Sequence, residues 1–100
     1  MPISTRLEGR IRRDFSELGS AAEVLRILDD LPDAAGYGAE MLGSERLQTA
    51  IVLLAQGTIR QLEAAVQLAK TDWRDVLVAA ELADADWPAR LDAELGPEAA

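Results

Sequence analysis

The chain has 100 residues, 49% hydrophobic and 28% charged, the profile of a single globular domain over residues 1–100. Cysteine and histidine are both absent, which excludes disulfides, thiolate chemistry, Cys/His metal sites and imidazole acid–base catalysis. A net charge of −8 makes nucleic-acid phosphates poor partners.

Ile3, Leu7, Ile11, Phe15 and Leu18 recur at helical spacing, and Gly19 is placed to end that helix. Ser20-Ala-Ala-Glu23 reads as a capping box opening a second helix with Val24, Leu25, Ile27, Leu28 and Leu31 inward. Pro32 is expected to stop it. Residues 33–43 hold Gly36, Gly38 and Gly43 around Tyr37 and Met41, and read as a loop. A third helix is expected from Ser44 to Gln56, apolar over most of its circumference and so suited to the centre of a bundle.

Gly57 closes that helix, and Thr58-Ile-Arg-Gln61 is a second capping box for a helix with Ile59, Leu62, Val66 and Ala69 inward. Thr71 or Asp72 can then cap a further helix carrying Trp73, Val76, Leu77 and Ala80. Asp84 to Pro88 forms a break, with Pro88 favoured at a first helical position. A last short helix holds Leu91 and Leu95 and ends at Gly96-Pro97. No stretch alternates with period two for long. The expected fold is all-α, a compact bundle of five or six short helices with brief connections.

Met1 to Phe15 lacks the apolar core of a signal peptide, because Arg6, Arg10, Arg12 and Arg13 interrupt it. The apolar run Ala50 to Ala55 is far short of the roughly 20 residues that span a bilayer. No membrane partner is expected, and the default address is the cytoplasm.

Arg6, Arg10 and Arg13 follow helical spacing and should share a face, either as a patch for an acidic group or as a solvated face bridged by Glu8 and Glu17. The stretch Ile59 to Leu82 has the length of a helix-turn-helix. Its second helix, however, sets Asp72, Asp75 and Glu81 against Arg74, the wrong sign for a phosphate backbone. Neither Asp29, Asp30 and Asp33 nor Asp84 and Asp86 has the spacing of a calcium loop, and the latter pair more simply caps the last helix. The serines have no histidine to activate them, Lys70 is the sole lysine, and the glycines lack a P-loop ending. No cofactor, metal or catalytic residue is expected.

Trp73 and Trp87 each follow an Asp near a helix start, and either complete the core or rim a partner groove. Tyr37 and Met41 are candidate exposed anchors. From Asp72 to Ala100, eight acids face Arg74 and Arg90 alone, so negative charge is concentrated there. Such a field would steer a basic surface, with Asp84, Asp86, Asp92 and Glu94 as the candidate docking carboxylates.

The run from Leu68 to Gly96, with Leu47 to Leu54 and Gly57, resembles small acidic all-helical bacterial proteins with no assigned activity. It covers about half the chain and carries no catalytic motif. The resemblance implies a bacterial cytoplasmic protein, in keeping with nine arginines among ten basic residues, and transfers no functional residue. The expected function is a non-enzymatic protein-interaction or regulatory module, with a homodimer completing its core across an interface as one form. The alternative is an acidic antagonist, an immunity-type protein or a mimic of nucleic-acid charge, that binds a basic protein.

Overall fold

In the computed structural model, which describes residues 3–17, 19–34 and 44–96, the helices begin close to the polar residues the sequence provides for them. Helix α1 (Thr5–Asp14) starts at Ser4, whose hydroxyl accepts the Leu7 amide at 3.3 Å. Its Leu7, Ile11 and the following Phe15 are buried as the periodicity predicts, but the helix ends at Asp14. Leu18 lies outside the described residues.

Helix α2 (Ser20–Ala34) departs from expectation at both ends. Gly19, at φ +84°, precedes it and its carbonyl accepts the Glu23 amide at 3.1 Å. Gly19 therefore opens α2 instead of closing α1, and Ser20 lies inside the helix. The Glu23 carboxylate turns to Arg26, a charged donor that outcompetes the backbone amide of a capping box. Pro32 does not stop the helix, which runs two residues further to Ala34. In a last turn, proline removes a single backbone bond, a smaller penalty than at mid-helix. Val24, Leu28 and Leu31 form the buried stripe.

Helix α3 (Glu45–Ala55) is capped by Ser44, whose hydroxyl accepts the Leu47 amide at 3.2 Å. Six consecutive residues, Leu47 to Val52, are buried, so α3 is enclosed on all sides as its all-round apolarity predicts. This enclosure includes the Thr49 hydroxyl, which finds no hydrogen-bond partner among the described residues. Gln56 at φ 49° and Gly57 at φ 80° reverse the chain. A Cβ on Gly57 would lie 2.9 Å from the Asp14 carbonyl oxygen, so only glycine lets this turn approach the end of α1.

Helix α4 (Ile59–Ala79) is capped by Thr58, whose hydroxyl accepts the Gln61 amide at 3.2 Å. It is two helical segments joined at Asp72, which is extended (φ −157°, ψ 97°) and accepts the Arg74 amide at 3.1 Å through its carboxylate. The predicted fifth helix start is therefore present, as a kink within a continuous span. Leu62, Ala65, Val66 and Ala69 before the kink, and Val76 and Leu77 after it, pack inward. The α3–α4 pair forms the most extensive helix–helix contact, with α1, α2 and the last helix around it.

Helix α5 (Trp87–Leu95) begins after Asp86, with Pro88 in its first turn. Asp86 occupies the cap position, but its carboxylate makes no cap bond, because its backbone is not in the extended conformation that aims a capping side chain inward. Among the described residues there are thus five helices and no strand, an all-α bundle with one core. The radius of gyration, 12.3 Å, matches the roughly 13 Å of a 100-residue domain.

Candidate functional site

Two features stand apart on the surface, an arginine-held joint between α1 and α5 and an uncompensated acidic end of α4. The joint is built from the arginine face of α1. Arg6 donates to both oxygens of Glu45 on α3, each at 2.8 Å, and to Asp92 on α5 at 2.7 Å. It also donates to the Gly96 carbonyl at 2.9 Å. Arg10 donates to Asp14 at 2.9 Å, to the Glu94 carbonyl at 2.8 Å and to the Glu94 carboxylate at 3.1 Å. The two arginine side chains are only 10% and 15% exposed, so the expected solvated face does not form at these positions. Glu8 pairs with Arg12 instead.

The electrostatics follow from these contacts. Hydrogen bonds donated to Glu45, then to Asp92, hold the Arg6 guanidinium firmly charged. Burial works against the Arg10 charge, but Asp14 and Glu94 outweigh it and raise its pKa. The Glu45 carboxyl is held below the usual range, first by Arg6 and, against desolvation, also by the Ser4 hydroxyl.

The acidic end of α4 is arranged differently. The helix closes with the Leu82 amide on the Leu77 carbonyl at 2.8 Å and the Glu81 amide on Val78 at 3.1 Å. This is a Schellman ending, in which the residue at the left-handed position is usually glycine. Here it is Glu81, at φ 62°. A carboxylate near the negative end of a helix is also disfavoured, and no basic residue lies in that last turn. Val78, one turn back, is 65% exposed, while Leu77 and Leu82 beneath it are buried.

The predicted docking residues separate into four groups. Asp92 and Glu94 are engaged by Arg6 and Arg10, which they share with Glu45 and Asp14, so their field is partly offset within the molecule. Asp84 and Asp86 are exposed, the first without an ion pair among the described residues and the second 3.8 Å from Arg90. Asp75 and Glu81 are likewise exposed and form no ion pair among the described residues. Trp73 and Trp87 are half-buried against the core, with Arg74 5.3 Å and Arg46 4.7 Å from their rings. Tyr37 and Met41 lie outside the described residues.

Sequence reasoning missed Val78, which an inward stripe of Trp73, Val76, Leu77 and Ala80 leaves on the opposite face. It also missed the non-glycine at position 81, for which the signal was a helix ending without Gly. No helix among the described residues is long and apolar enough to cross a membrane. Their acidic residues bring no three carboxylates together as a metal site would require. No family model, curated protein or solved structure matches the chain.

Proposed function

We propose that this chain is a non-enzymatic helical interaction module, bacterial and cytoplasmic, that docks a basic protein partner on the C-terminal end of α4. The observation that carries this reading is Val78, 65% exposed among Asp75 and Glu81 and followed by Asp84 and Asp86 in the turn. An apolar contact point with uncompensated carboxylates around it suits a partner that presents an apolar residue within a cationic surface. The identity of the left-handed residue supports it too: the turn closes the helix, but glycine would close it with less strain, and a side chain kept at such a position is commonly kept for function. Self-association through this face would set like charges together, so the heterologous partner is the reading favoured.

The test uses two variants of the full chain as bait in the same lysate. One carries Asp75→Asn, Glu81→Gln and Asp84→Asn; the other carries Asp92→Asn and Glu94→Gln. The reading expects one partner retained by the wild type and the second variant. Its association with the first should slow severalfold and lose its dependence on salt. A partner that binds both variants with equal on-rates, or a chain that sediments as a dimer through this face, overturns it.

A further inference from the structure

We propose that α5 is a strap that opens as a unit while α1–α4 stay folded, its closure set by arginines on the helices it covers. Nine residues are too few to hold a helix alone, so α5 exists only while it is docked. Its docking is polar to an unusual degree. One of its side chains, Leu91, is fully buried, with Trp87 and Leu95 half-buried beside it. Against these stand four guanidinium hydrogen bonds from α1, two from Arg6 and two from Arg10. Arg46 of α3 adds a stacking contact on Trp87 and donates to the Leu82 carbonyl at 2.8 Å.

The two sides of this joint are not equivalent. Arg6 is clamped through both oxygens of Glu45 on α3, and Arg10 is held by Asp14 on its own helix. Both stay in position when α5 leaves. The carboxylates that α5 contributes are the exposed members, Asp92 at 63% and Glu94 at 44%. Salt therefore screens the α5 side of the joint while leaving the more enclosed Arg6–Glu45 pair in place. Two of the four α1 bonds end on backbone carbonyls at the C-terminal end of α5, those of Glu94 and of the capping Gly96, where a cation also answers the helix dipole. Opening would uncover three guanidinium groups beside the apolar surface that Leu91 covers. This inference does not depend on the docking face of α4.

Hydrogen exchange of the full chain, read by mass spectrometry or NMR, tests it. Amides Arg90 to Leu95 should exchange faster than those of Leu47 to Val52. They should speed up about tenfold between about 0.05 M and about 1 M NaCl while α3 does not change. Asp92→Asn with Glu94→Gln should give a rise of about tenfold at low salt and remove the salt response. If α5 and α3 amides exchange at one common rate in every condition, α5 opens only by global unfolding and the strap is refuted. If α5 opens separately but ignores both salt and the variant, the arginine joint does not govern it.

Discussion

At the scale of single residues, Glu81 is one of two non-glycine residues in the described backbone held at positive φ, Gln56 being the other. A left-handed residue with a Cβ costs roughly 1–2 kcal/mol, and glycine avoids most of this while adding some chain entropy to the unfolded state. Glu81→Gly should therefore stabilise the protein by about 0.5–1 kcal/mol, raising Tm by about 2–8 °C in a thermal melt. A melt that stays put or falls would mean that the Glu81 side chain contributes to the native state. The same substitution should weaken the proposed partner, so stability and binding would move in opposite directions. Gly57 is the converse case, because its positive φ and the nearby Asp14 carbonyl both forbid a side chain.

At the scale of elements, α4 shows how one cap can bend a helix without ending it. Asp72 leaves the helical region, and its carboxylate satisfies an amide that the kink would otherwise orphan. Asp72→Ala should cost about 1 kcal/mol in a urea titration, and Asp72→Asn much less, since the amide oxygen can accept the same bond. Equal losses for both would show that charge, not capping, is what this position supplies. The capped helix starts at Ser44 and Thr58 were legible because the cap and its amide partner are three residues apart. The start of α2 was not, because Glu23 had a second local partner in Arg26.

At the scale of the whole molecule, the Arg6 joint ties α1, α3 and α5 into one acid-sensitive unit. The folded-state pKa of Glu45 is depressed, so its contribution is fully present above the unfolded value of about 4.3 and is lost as pH falls below that value. Urea midpoints measured downward from pH 7 should drop most steeply in this acidic window. Glu45→Gln should lower the midpoint at pH 7 and flatten the drop. A variant whose acid profile matches the wild type would place the acid sensitivity elsewhere.

The all-α class, the starts of α3, α4 and α5 to within a residue or so, and the central burial of α3 were already in the amino-acid sequence. Each rests on interactions within about one or two helical turns, where spacing alone determines which groups meet. Helix ends where local groups compete, at Gly19, Ser20 and Pro32, were read wrongly for that same reason. What the sequence showed of the surface was the sign and concentration of charge between Asp72 and Ala100. Only the tertiary structure separated those acids into two kinds. Arg6 reaches Asp92 across 86 positions and Arg10 reaches Glu94 across 84, so these carboxylates are joined to the fold. Asp75, Glu81 and Asp84 are left facing water. Charge is a property of each residue, but whether it is neutralised depends on which distant side chain the packing of helices brings within 3 or so Å, and no local spacing encodes that.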